Sequence, residues 1–145
     1  MSIWNNSSPE ERITMWRNFR EEIRDLTKEE KLNKVATFFA KFPVGARCID
    51  FYTPADWPTP WEILYHKTYC ASTISLLQYH TLATMLPKNE ISVVLIDDGR
   101  DRFLVPLIDN KCILNYILGE VADLQDYKEI RIVDDFANTT IPHIT

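Results

Sequence analysis

The sequence predicts an α+β fold in which N-terminal helices and a central buried helix pack with an antiparallel sheet of three or four strands. Three observations predict it. Capping boxes precede amphipathic stripes in the first half of the chain. An uncharged helical stretch opens near Cys70, and beyond Pro87 the hydrophobic period shifts to short β-rich runs divided by turn residues. At 145 residues the chain has the usual size of one domain, so residues 1–145 are expected to form a single domain.

Ser8-Pro9-Glu10-Glu11 is a capping box with proline at the first helical position, where its missing N–H costs nothing. Ile13, Trp16, Phe19, Ile23 and Leu26 follow at three- and four-residue steps with Arg12, Arg17, Glu21 and Arg24 on the remaining face, which predicts a helix to about Leu26. Thr27-Lys28-Glu29-Glu30 starts a second helix, whose stripe of Leu32, Val35, Phe38, Phe39 and Phe42 stops before Pro43. Residues 43–60 carry four of the eight prolines and are expected to run extended over the surface, with Cys48, Ile49 and Phe51 as a short strand.

Thr59-Pro60-Trp61-Glu62 is a third capping box, opening one or two turns that end near His66. The next helix is predicted from about Tyr69 to Leu86. Apolar residues go most of the way round it with only uncharged polar ones between, so it belongs at the centre of the domain. Ile91–Ile96, Phe103–Ile108 and Cys112–Leu118, separated by Asp97-Asp98-Gly99-Arg100 and Asp109-Asn110-Lys111, read as an antiparallel meander. Glu129–Val133 adds a fourth strand after a short helical or irregular stretch, and Asp134–Thr145 is expected to be a tail.

Composition excludes several classes of function. The net charge of −5 and the absence of a Lys/Arg run argue against nucleic-acid binding, while acidic and basic residues alternate too evenly along the first two helices for a nucleic-acid mimic. Three cysteines without a close pair suit a reducing compartment and offer no metal spacing. Met1–Arg12 is polar, unlike a signal peptide. The uncharged stretch Thr68–Pro87 approaches the length of a membrane span, but Ser72, Thr73, Ser75, Gln78, His80, Thr81 and Thr84 within it favour a buried helix in a protein without a membrane partner. Three glycines leave no phosphate-cradling loop, and Asp97-Asp98-Gly99-Arg100-Asp101 lacks the ligand spacing of a calcium loop. No cofactor is expected.

A buried helix with cysteine in its first turn, followed by an antiparallel meander, resembles the core of the papain-like cysteine fold and, within it, the transglutaminase-like branch. The resemblance implies Cys70 as nucleophile, histidine on the second succeeding strand and an acidic or amide residue on the next, a position Asn115 meets. Helix N-terminal N–H groups stabilise a thiolate, histidine accepts its proton, and the third residue orients the imidazole. Here the strand opens Asp101-Arg102-Phe103 without histidine, and arginine cannot act as a general base at neutral pH. His80 lies ten residues along the helix from Cys70, about 15 Å away. His66 precedes the helix and meets Cys70 only if the intervening turn folds back, and His143 sits in the tail. Each histidine, and Cys70 itself, has an alternative as an ordinary surface or interior residue. Cys48 and Cys112 fall in predicted strands.

The segment Tyr52-Thr53-Pro54-Ala55-Asp56-Trp57-Pro58-Thr59-Pro60-Trp61-Glu62 alternates aromatic residues with prolines. Trp57, Pro58, Pro60 and Trp61 are candidates for a preorganised interface, or for a staple that fixes a long connection onto the following helix. This segment, with Ile63-Leu64, Tyr69-Cys70 and Leu76–Leu82, resembles small uncharacterised proteins of T4-like phages, including cyanophages. The resemblance implies a viral origin and residence in the host cytoplasm or the virion.

Two functions are thus expected. One is a non-enzymatic phage protein acting through a protein partner in assembly or host interaction, or, as a subunit of an oligomer or virion, through self-association with Trp4, the first helix or the proline-tryptophan segment as interface. The other is a small cysteine hydrolase or acyltransferase with Cys70 as nucleophile, His66 or a partner's residue as base, and Asn115 as the third member.

Overall fold

A computed structural model describes residues 6–137, 139, 141 and 142. Trp4 and His143 lie outside them. Helices α1 (Pro9–Ile23), α2 (Lys28–Phe39), α3 (Pro60–His66) and α4 (Ala71–Ala83) precede strands β1 (Ile91–Asp97), β2 (Arg102–Ile108), β3 (Cys112–Leu114), β4 (Val121–Asp123) and β5 (Arg131–Asp135). The strands form one antiparallel sheet in the order β4-β3-β2-β1-β5.

All three predicted capping boxes form. Ser8, Thr27 and Thr59 each accept the amide of the glutamate three residues on, and each glutamate carboxylate takes the cap residue's own amide. α4 is the buried central helix that its composition predicts. It packs on β1 and β2, with α2 and α3 beside it and α1 against α3. Its polar residues Ser72, Thr73, Ser75, Gln78, His80 and Thr81 are all buried. Thr81 reconciles its hydroxyl with burial by donating to the Leu77 carbonyl at 2.6 Å and accepting the Trp16 indole N–H at 2.8 Å. On the opposite sheet face Val94, Ile96, Val105, Leu107, Ile113 and Ala122 are covered by Tyr116, Leu124, Tyr127 and Ile130.

Several local expectations change. The predicted strand around Cys48, Ile49 and Phe51 is replaced by irregular backbone: the Asp50 carboxylate accepts the Tyr52 amide at 2.8 Å, and the Asp50 carbonyl accepts the Trp57 indole N–H at 2.6 Å. This connection touches the core through an isolated bridge between Gly45 and Cys70, with the Gly45 amide donating to the Tyr69 carbonyl at 2.9 Å. β3 stops at Leu114 because Asn115 adopts φ 61°, a left-handed conformation that asparagine tolerates. A further short strand, β4, occupies the stretch expected to be helical or irregular.

The predicted tail starts as strand. Asp134 and Asp135 complete β5, the Phe136 amide donates to the Val93 carbonyl at 2.9 Å, and Phe136 and Ile141 are buried. Arg12 also departs from its expected place on the polar face of α1. It is buried, with Nε on the Leu64 carbonyl at 2.6 Å, Nη2 on the Tyr65 carbonyl at 2.8 Å, and Nη1 on the Ser7 carbonyl. The guanidinium thereby takes up carbonyls at the C-terminal turn of α3, which ends with Lys67 at φ 55°.

Candidate functional site around Cys70

Cys70 is the N-cap residue of α4, with extended backbone at φ −134° and ψ 172°, and is 1 % exposed. The helix start is built as a capping box in which sulfur stands where oxygen usually does. The Thr73 amide faces the Cys70 sulfur, and the Cys70 amide donates to the Thr73 hydroxyl at 2.9 Å. The same hydroxyl donates to the Thr68 carbonyl at 2.7 Å, tying the turn before the helix to its first turn. No acidic residue lies in the first turn of α4, whereas α1 and α2 each carry two and α3 carries one.

The sulfur's nearest partner is another thiol. Cys48, exposed on the 43–60 connection, places its Sγ 3.2 Å from Cys70 Sγ and 3.8 Å from the Thr68 carbonyl oxygen. Burial opposes a Cys70 thiolate, but the amides of Thr73 and Cys48, the Cys48 thiol and the Thr73 hydroxyl outweigh it and hold the Cys70 thiol below its ordinary range. Cys48 moves the opposite way, pushed up to about 11 by burial, by its hydrogen bond to Cys70 and by the charge that Cys70 carries. The two titrate as a unit, in which Cys70 holds the first charge and Cys48 the remaining proton. Cys112, half-buried on β3, is not part of this pair, and burial raises its thiol.

Asn115 comes to the same helix start. Its Nδ2 donates to the Ala71 carbonyl at 2.8 Å and to Ser75 Oγ at 2.8 Å, so the residue following β3 is bolted to the first turn of α4. His66 is not brought to Cys70 in this arrangement. It is exposed at the end of α3, its ring 5.0 Å from that of Tyr65 and edge-on to it. His80 is buried further along α4 beside Tyr79.

On the strand side, β2 opens with Arg102. Its Nη1 donates to the Tyr52 hydroxyl at 2.7 Å and its Nε to Asp97 Oδ2 at 3.2 Å, while Arg131 approaches the same carboxylate oxygen at 3.7 Å. Asp97 and Asp98 are occupied within the turn. The Gly99 amide, then Arg102 and Arg131, hold Asp97 low; the amides of Asp101 and Arg100, with the Tyr116 hydroxyl, do so for Asp98. Between Arg102 and the start of α4 lies a groove of about 460 Å³ lined by Arg47, Phe51, Ser72, Phe103 and Asn115 among others.

The proline-tryptophan segment is largely built into the structure. Trp57 is 2 % exposed and packs edge-on to Phe136 with ring centroids 5.1 Å apart; Pro60 is buried, and Pro58 and Trp61 are half-buried. Trp61 meets Trp16 edge-on at 5.2 Å, and the Arg20 guanidinium lies 4.2 Å from the Trp16 ring centroid. These contacts fix the segment against α1 and against Phe136 after β5.

Sequence reasoning did not single out Thr73 or the pairing of Cys48 with Cys70. For Thr73 a signal was present: Cys70-Ala71-Ser72-Thr73 has the spacing of a capping box with a thiol in the cap position. For Cys48 there was none, because a 22-residue separation across an irregular connection carries no periodicity.

The helix start bearing cysteine, the antiparallel sheet behind it and the amide residue after β3 give the chain the α+β arrangement expected of a transglutaminase-like core. Solved structures bear this out: the chain superposes on LapG of Legionella pneumophila with a TM-score of 0.75 and 17% identity, covering 88% of this chain and 74% of that one. The EGTA-treated and calcium-bound forms of LapG match equally well, at 0.75 and 17%, over 88% and 90% of this chain. No family model and no curated protein sequence matches the chain. Among the described residues no helix is long and apolar enough to cross a membrane, and no three His, Cys, Asp or Glu side chains cluster as metal ligands would.

Proposed function

We propose that this chain is a non-enzymatic protein that acts through protein contacts on a transglutaminase-like scaffold whose hydrolytic site has lost its general base. The observation that carries this reading is the environment of Cys70 Sγ, which faces Cys48 at 3.2 Å, while β2 opens with Arg102, bound to Tyr52, and carries no histidine. Acyl transfer needs a group that takes the thiol proton and returns it to the leaving group, and a guanidinium does neither at neutral pH. A groove lined by Arg47, Phe51 and Arg102 remains beside the helix start and suits an extended, partly acidic polypeptide. Resemblance to T4-like phage proteins supports virion assembly or host interaction as the setting, in the host cytoplasm or the virion. The exposed Tyr52 and the half-buried Pro58 and Trp61 extend the contact surface.

The alternative, a cysteine hydrolase or acyltransferase, is favoured by one observation: a lowered Cys70 thiol with Asn115 anchored on the same helix turn. It requires an imidazole, from His66 after rearrangement of the 66–70 turn or from a partner. The two are separated by turnover. Purified protein assayed with unfolded polypeptides and activated esters is expected to match its Cys70→Ala variant. Turnover in the parent chain that disappears in Cys70→Ala overturns the non-enzymatic reading, and loss of that turnover in His66→Ala identifies the base. Sedimentation of the same sample reads out self-association.

A further inference from the structure

The contact between the Cys48 and Cys70 thiols has a chemistry of its own that neither function uses. The sulfurs are 3.2 Å apart, about 1 Å beyond a covalent S–S bond. The segments that carry them are already joined by the Gly45–Cys70 bridge and the hydrogen bond from the Gly45 amide to the Tyr69 carbonyl. The two cysteines are unequal in access. Cys70 is buried, whereas Cys48 is exposed and lines a hollow of about 340 Å³ with Asp50, Thr53, Trp57 and Thr68. A small reagent entering from solvent therefore meets Cys48 first and finds Cys70 directly behind it.

We propose that Cys48 and Cys70 form a redox-active dithiol, in which Cys48 takes up a low-molecular-weight disulfide in the hollow and Cys70 resolves it into an intramolecular disulfide. In the first step Cys48 passes its proton along the hydrogen bond to the Cys70 thiolate, and the Cys48 sulfur attacks one sulfur of RSSR; a Cys48–SR bond forms and RS⁻ leaves, taking the proton back from Cys70. In the second step the Cys70 thiolate attacks Cys48 Sγ, the Cys48–Cys70 bond forms, and the second RS⁻ leaves. Two thiols have then lost two electrons and two protons, and RSSR has been reduced to two RSH. Reduction by excess thiol runs the same steps backward.

Residue chemistry suits each step to its place. The resolving sulfur needs to be an anion without needing access, and Cys70 has the N-terminus of α4 and the Thr73 amide to hold that charge. The entry sulfur needs access, which only Cys48 of the pair has. Closure fixes the 43–50 connection onto the first turn of α4, at the edge of the groove lined by Arg47 and Phe51, and removes the Cys70 thiolate. The oxidised chain is thus a distinct state of the same surface, whether or not that surface binds a polypeptide.

Oxidised glutathione is the probe. Native full-length protein incubated with an excess of it, acid-quenched, alkylated and digested is expected to yield a peptide pair linked through Cys48 and Cys70, with Cys112 alkylated. The intact mass should fall by two hydrogens, without dimer, and dithiothreitol should restore both thiols. Cys70→Ser is expected to stop at a glutathione adduct on Cys48, and Cys48→Ser to leave Cys70 unmodified. A parent chain that stops at the Cys48 adduct, that links through Cys112, or that keeps three free thiols under oxidant excess overturns the proposal. The parent-chain result decides the matter even if a variant does not fold.

Discussion

Helices α1 to α3 and helix α4 begin with the same hydrogen-bond pattern made from different atoms. Ser8, Thr27 and Thr59 supply hydroxyl oxygens, and each is matched by a glutamate at the third helical position that neutralises the positive end of the helix. Cys70 supplies sulfur, and its partner Thr73 is uncharged. At α4 the negative charge that the helix end favours is therefore left to the thiolate itself. The first three caps are exposed devices for starting a helix. The fourth is buried and makes an anion site out of the same geometry.

The difference is sharpened most by removing the hydroxyl of Thr73. Thr73→Val keeps the shape of the side chain but strands the buried Cys70 amide and deprives the Thr68 carbonyl of its donor. A buried unsatisfied polar group costs about 1–3 kcal/mol, so a loss of about 2 kcal/mol in urea unfolding is expected, along with slower alkylation of Cys70 at neutral pH. Thr59→Ala, the matching change at an exposed oxygen cap, is expected to cost about 1 kcal/mol and to leave Cys70 alkylation unchanged. Equal costs at the two sites, or equal effects on the thiol, would break the distinction between a structural cap and an anion site.

The helices, their oxygen caps and the β1–β2–β3 meander were legible in the sequence because each rests on local chemistry: a box of four residues, a hydrophobic period, a turn such as Asp97-Asp98-Gly99-Arg100. The cysteine helix and Asn115 were legible as a pattern of order along the chain. What escaped depends on contacts between distant segments. Arg12 reads as a surface residue of an amphipathic helix until the C-terminus of α3, more than fifty residues away, is laid against it. Trp57 is stapled by Phe136 from a segment that reads as a tail. Cys48 meets Cys70 through an irregular connection whose path no periodicity describes.

Titration distinguishes the two sulfurs of the fourth cap. An unfolded Cys48 releases its proton near the ordinary value of 9.0, whereas in the folded chain it keeps it to about 11. Across that window the folded state binds more protons, so stability falls as pH rises. Cys70 has the opposite sign: its folded thiol ionises below 9.0, and its contribution is gained as pH rises toward that value. Tyr69, buried and pushed up to about 12, continues the decline above 10.0. Cys48→Ser is expected to shrink the decline that begins near pH 9 to the share that the raised Cys112 thiol contributes, and to leave the later part, as followed by thermal unfolding between pH 7 and 11. An unchanged profile would place the raised proton affinity elsewhere than on the pair.

The smallest effect, and the most direct exchange between the two kinds of cap, comes from giving α4 the carboxylate it lacks. Ala71 is exposed at the first position of the helix, and only its backbone carbonyl is engaged, by Asn115. Ala71→Glu places a charge in the first turn, where a carboxylate stabilises a helix by about 0.3–1 kcal/mol. That gain is expected in full below the Cys70 titration, where the thiol is protonated, and is eroded as the thiolate forms, because two anions then share one helix end. The same repulsion moves the Cys70 titration upward and slows its alkylation at neutral pH. Stabilisation that is independent of pH, with alkylation unaltered, would mean that the helix end does not hold the thiolate, and that the environment of Cys70 is no different in kind from those of Ser8, Thr27 and Thr59.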